Sequence, residues 1–204
     1  MRNLFFLAIF FSITVTGCSG DAPVTEELPE AEPALTVDSP TFGPLAEELE
    51  NGTPVARVGG MLMQRFPEIS DPNTGLLNED LSREFVYLAV ALADRYPKDT
   101  LAALPLYRAA EVVRALNDPK RAAVLYERVH DEYTGFSKAP ESLFMAAFTH
   151  DEDLNDLDRA RETYERFLKL YPNNVFAEST PMLLENLGKS DEEMLRELEE
   201  KAQQ

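Results

Sequence analysis

Cys18 is the one thiol of this 204-residue chain, and a thiolate is the strongest nucleophile a side chain can offer. Its setting is distinctive. Met1-Arg2-Asn3 precede a mostly apolar run from Leu4 to Val15, and Gly17 stands directly before the cysteine. A short cationic start, an apolar run too short to span a bilayer and a small residue before a cut describe an export signal. Left unmodified, a lone cysteine in an exported protein is an awkward free thiol. Other residues offer less chemistry. His130 and His150 have no cysteine partner and no metal-ligand spacing. No glycine-rich phosphate loop or nucleophile elbow occurs. Asp151, Asp153, Asn155 and Glu162 fall at positions 1, 3, 5 and 12 of a calcium loop, but Asp156 stands where that loop needs glycine. The residues therefore predict no enzyme, no cofactor and no metal site. Residues 151–162 read as a solvated acidic turn.

Val15-Thr16-Gly17-Cys18 resembles the lipobox of bacterial envelope lipoproteins. The resemblance implies that residues 1–17 are a signal peptide removed before Cys18, whose sulfur and new N-terminus then carry fatty acyl chains of the palmitate type. Several acyl chains hold a protein at a membrane far more durably than one. Ser19, rather than Asp, resembles lipoproteins sent on to the outer membrane. The protein is then expected to be anchored there, facing the periplasm, without crossing the bilayer. An ordinary cleavable signal or a short membrane anchor is the alternative.

The charge is strongly acidic, with 37 Asp and Glu against 19 Lys and Arg, a formal −18. Such a surface repels nucleic acid, whose binding depends on cationic contacts to phosphate. It also disfavours a second electrostatic hold on anionic lipid. It suits a hydrated body with basic partners. After the signal, no apolar run is long enough to cross a bilayer.

Three stretches follow one another. Residues 18–43 lack Lys and Arg and interleave prolines 23, 29, 33 and 40 with acidic residues. That composition cannot bury enough surface to fold and predicts a disordered tether. About 25 extended residues would reach on the order of 75 Å. Residues 44–204 read as an α-helical domain. Helix begins weakly at Pro44 and resumes at Pro54, with Gly59 and Gly60 permitting close helix approach. Asp71-Pro72-Asn73-Thr74-Gly75 is turn chemistry. From Asp80 onward the pattern is helical almost throughout, with no alternation that would signal a strand.

An internal repeat organises this domain. Asn117-Asp118 through Arg128 matches Asn155-Asp156 through Arg166 at one constant offset, sharing Asn, Asp, Arg, Ala, Tyr, Glu and Arg. Asp118 and Asp156 are natural N-caps. Ala122 with Tyr126, and Ala160 with Tyr164, put a gap and a filler on one helix face. Helices end near Tyr96, Tyr133 and Tyr171, and Tyr107, Ala109 and Ala110 align with Phe144, Ala146 and Ala147. Glu178–Leu187 and Asp191–Gln203 read as a closing pair, with Gly188 at a C′ position and Ser190 with Glu193 as a capping box.

This pattern resembles a tetratricopeptide repeat array, in which an A helix with a small residue pairs with a B helix carrying Ala, an aromatic four residues on, and Pro at the exit. The resemblance implies an all-α fold, a short solenoid of antiparallel helical hairpins after the tether. Lys138 to Phe144 and Arg161 to Asn173 are similar to repeat boundaries of periplasmic lipoproteins of the BamD-like barrel-assembly and Tol–Pal-associated groups. By that likeness, a non-catalytic scaffold is expected, binding envelope proteins or peptides on the concave face of the A helices. Carried over by register, that face comprises Tyr107, Glu111, Arg114, Phe144, Phe148 and Asp151. The same aromatics at helical spacing also suit simple core packing. A surface lipoprotein for nutrient or ion (calcium) capture is the second expectation.

Overall fold

A computed structural model describes residues 36–202, and Cys18 with most of the expected tether lies outside them. The helices are α1 (Gly43–Glu50), α2 (Val55–Arg65), α3 (Glu79–Arg95), α4 (Thr100–Ala115), α5 (Pro119–Glu132), α6 (Ala139–Phe148), α7 (Leu157–Leu170), α8 (Thr180–Asn186) and α9 (Asp191–Ala202). A 3-10 turn follows α2, and a π turn at Thr149–Asp153 extends α6. Among the described residues no strand forms beyond one bridge between Ser70 and Leu77, and no helix is long and apolar enough to cross a membrane. Helices α3 to α7 pack in chain order, each on the next. The fold is an all-α stack of antiparallel hairpins.

Local chemistry explains where the helices start and stop. Side chains of Asn78, Asp99, Asp118 and Asp156 accept the first free backbone N–H groups of α3, α4, α5 and α7. The repeated Asn-Asp pair has a second function that the sequence pattern alone conceals. Asn117 and Asn155 are left-handed, at φ 63° and 50°, so each reverses the chain before its aspartate caps the B helix. Asparagine enters that conformation more readily than most residues.

The repeated tyrosines close each B helix in one geometry. Tyr96, Tyr133 and Tyr171 are the C-caps of α3, α5 and α7, with ψ of 60°, 54° and 53°. Each hydroxyl then reaches back to an earlier element. Tyr96 donates to the Thr53 carbonyl at 3.0 Å, Tyr133 approaches the Ala93 carbonyl at 3.5 Å, and the Tyr171 hydroxyl lies 2.9 Å from His130 Nε2.

Two sequence readings need correction. Residues 39–42, assigned to the tether, belong to the folded body. Phe42 is fully buried beside Phe85, and Ser39 donates its backbone N–H and hydroxyl to the carboxylate of buried Glu84. Of the paired glycines, only Gly59 makes a close helix approach. A Cβ there would lie 3.2 Å from the Leu101 carbonyl oxygen on α4, whereas one at Gly60 would meet nothing within 4 Å. Gly188 sits between α8 and α9 at φ 78°, where a Cβ would come within 2.7 Å of Leu157. Ser190 and Glu193 exchange the expected capping-box hydrogen bonds.

Candidate interaction groove

Helix α4 places Tyr107, Glu111 and Arg114 on one face, one and two turns apart. With Tyr126 of α5, Glu141 and Met145 of α6 and Asp153 of the π turn, they line an open cavity of 510 Å3. This is within the size range of small-ligand and side-chain pockets. The floor is aromatic. Tyr107 and Tyr126 meet edge-on, 5.9 Å apart, an arrangement that adds to the gain from burial alone.

Three ion pairs frame the cavity. Arg108 holds Glu111 at 2.7 Å, Lys138 holds Glu141 at 2.7 Å, and Arg114 grips Asp153 through two nitrogens. Cations also lie over the aromatic rings. Lys138 Nζ stands 5.0 Å from the Tyr107 ring centre, and the Arg114 guanidinium stands 5.1 Å from that of Phe148. The Tyr107 hydroxyl donates to Glu141 at 2.7 Å. Burial, and then this hydrogen bond, push the Tyr107 phenol far above its ordinary range. Burial would raise the Glu141 carboxyl, but hydrogen bonds from Lys138 and Tyr107 outweigh it and hold the carboxyl below its usual value. Each acid of the groove is thus partnered internally, so a visiting cation must exchange with a resident one.

The expected site residues separate into two groups. Tyr107, Glu111 and Arg114 come together in the cavity, though Tyr107 is 2% exposed and acts as floor rather than projecting anchor. Phe144 leaves the groove altogether. It stacks on Phe176 at 4.5 Å and meets Phe167 edge-on, inside the second hydrophobic core. Both aromatics fill the space within their own hairpins, Tyr107 against Tyr126 and Phe144 against Tyr164. Phe148 is half-buried between Phe144 and the Arg114 guanidinium. Asp151 is displaced from the expected place. It accepts from the Tyr164 hydroxyl at 3.4 Å, and burial raises its carboxyl. Asp153 pairs with Arg114 instead. The π turn causes this, since Leu154 N–H bonds to the Thr149 carbonyl five residues back. The helix register carried over from α4 therefore fails across that turn.

The calcium-like spacing does not become a loop. Asp151 and Asp153 are held by Tyr164 and Arg114, while Glu162 is exposed on α7. Among the described residues no group of three or more His, Cys, Asp or Glu is placed to hold a metal ion. Glu141, Tyr126, Met145 and Asp153 are groove residues that sequence reasoning missed. Tyr126 carried a signal in its repeated position, but its repeat partner Tyr164 donates to Asp151, and spacing alone does not separate the two.

Comparison with known proteins gives one positive result. No curated protein and no solved structure matches the chain. Residues 141–174 match the family model of the tetratricopeptide repeat. That span runs from Glu141 in α6 through the π turn and α7 to just past the Tyr171 exit, so one tetratricopeptide repeat coincides with the hairpin that builds one side of the groove.

Proposed function

We propose that this chain is a membrane-anchored scaffold of the bacterial cell envelope, fixed to the outer membrane through acylated Cys18 and capturing partner proteins in the groove between α4 and α6. The tetratricopeptide repeat supports a protein–protein interaction role. The observation that carries the reading is the open cavity floored by Tyr107 and Tyr126 and framed by three ion pairs. Buried aromatic surface beside fixed charges is what a partner's side chain needs to anchor and orient. The net charge of −18 steers basic partners toward the body, while the ion pairs set their orientation at the rim. A barrel-assembly or Tol–Pal-like role is the finer form of this proposal, and its support is the likeness of the repeat boundaries.

Two changes test it. Cys18→Ser should abolish incorporation of labelled palmitate and release the protein from the membrane fraction. Arg114→Glu with Met145→Glu should leave the helical circular dichroism intact and eliminate a defined set of in-cell crosslinked partners. Retention of acyl label by Cys18→Ser would refute the anchor. An unchanged partner set from the groove variant would refute the groove.

A further inference from the structure

The groove holds one polar group that the fold leaves unused. Tyr126 of α5 is 1% exposed and lines the cavity. The hydroxyls of Tyr96, Tyr107, Tyr164 and Tyr171 each meet a partner within the protein. The Tyr126 hydroxyl meets none among the described residues. Nor is it sealed from solvent, because the unpartnered side-chain atoms that are sealed among those residues belong to Ser82, Arg108 and His150. The small exposure that Tyr126 retains therefore includes its hydroxyl, and the groove cavity is the opening that Tyr126 lines. A tyrosine this deeply buried ordinarily has a hydrogen-bond partner for its hydroxyl.

The surroundings set the charge of the missing partner. Glu111, Glu141 and Asp153 line the cavity against one guanidinium, that of Arg114, which already grips Asp153 through two nitrogens. Burial first, and then the Glu111 charge, push the Tyr126 phenol up, so its hydroxyl keeps its proton and can accept as well as donate. Glu141 is engaged at both oxygens, by Tyr107 and Lys138. Glu111 is the more open acid. Its Oε2 takes Arg108, and its Oε1 has no partner among the described residues. The Arg108 pair is local, spaced i,i+3 and half-buried at both ends. A pair of that kind contributes little, so exchanging it costs little. An anion would face the carboxylates and a body carrying −18. A neutral amide would use the hydroxyl but gain little from Glu111. A cation uses both. An ammonium is a compact point charge, whereas a guanidinium spreads five N–H donors around a plane. It can reach a hydroxyl and a carboxylate together while its stem lies along Met145.

We propose, resting on the groove reading, that the cavity takes an arginine side chain of the partner protein, its guanidinium shared between the Tyr126 hydroxyl and the Glu111 carboxylate. Tyr126 is then a specificity-determining residue of the groove. NMR titration of the full-length chain in a non-ionic detergent tests this, read at the Met145 methyl group. The probe is N-acetyl-Gly-Arg-Gly-amide, compared at equal ionic strength with its citrulline and lysine counterparts. The arginine peptide should bind saturably, with Kd on the order of 1 mM. Citrulline, equal in shape but neutral, should bind about tenfold weaker or more, and lysine at least about threefold weaker. Tyr126→Phe should keep the urea midpoint of the parent, because the hydroxyl has no partner within the protein, and should weaken the arginine peptide about tenfold. No saturable binding, equal binding of the citrulline or lysine peptide, or an unchanged affinity in Tyr126→Phe would each overturn the arginine assignment. The groove reading fails separately. Partners photocrosslinked in cells from position 145 persist if the arginine assignment alone is wrong, and vanish if the groove is not a docking site.

Discussion

Tyr107 shows how one residue can look like a contact and behave as a foundation. Its ring is floor to the groove and its hydroxyl orders the Glu141 carboxylate that frames it. Tyr107→Phe keeps the ring and removes that hydrogen bond, which should cost about 1–2 kcal/mol in urea unfolding at pH 7, since the acceptor is charged. The cost should depend on pH. Glu141 is held below its ordinary value of 4.5 in the folded state. Its contribution is therefore complete above the unfolded value and is lost as pH falls through the lower, folded value. The difference between Tyr107→Phe and the parent should shrink as the pH is taken progressively below 4.5. A pH-independent difference would mean that the lost contact is packing, not the charged hydrogen bond.

Elements were legible where a residue type has one physical use. Asp118 and Asp156 cap because their side chains accept free helix donors, and Tyr96, Tyr133 and Tyr171 end helices as their spacing foretold. What stayed hidden depends on geometry that spacing does not encode. The π turn shifts the register after Phe148, so Asp153 rather than Asp151 meets Arg114. Nor does aromatic spacing reveal whether Phe144 faces a groove or the neighbouring Phe176. The first residues of the body were also hidden, because Ser39 and Phe42 lie in acidic, proline-rich sequence while their partners, Glu84 and Phe85, are on α3. The paired glycines of α2 give a sharp test at this scale. Gly60→Ala should stabilise the protein by about 0.5–1 kcal/mol, through helix propensity and a stiffer unfolded chain. Gly59→Val should instead destabilise it by about 1–3 kcal/mol, since the new side chain must push the Leu101 carbonyl and α4 away. Thermal unfolding of both variants decides this, and equal shifts would contradict the α2–α4 contact.

The whole molecule is a stack whose hairpins are tied one to the next. The Tyr171 hydroxyl lies 2.9 Å from His130 Nε2, His130 Nδ1 faces Asp131 at 2.7 Å, and Arg166 holds Asp131 at 2.6 Å, so α5 and α7 are joined by a continuous polar chain. Tyr171→Phe would leave a buried ring nitrogen without its hydrogen-bond partner, and should destabilise the fold by about 1–3 kcal/mol. Chemical denaturation read at α7 should also fall earlier than at α3, because a solenoid's units are coupled only to their neighbours. A stack held in this way presents its A helices as a rigid wall, which is the basis for reading the α4–α6 groove as the place where partners dock. Site-specific photocrosslinking in cells tests that claim most directly, with the reactive group at Met145 in the groove or at exposed Tyr87 on α3 as the comparison position. A defined protein partner crosslinked from position 145 and absent from position 87 is the predicted result. The same products from both positions, or none from position 145, would contradict the account.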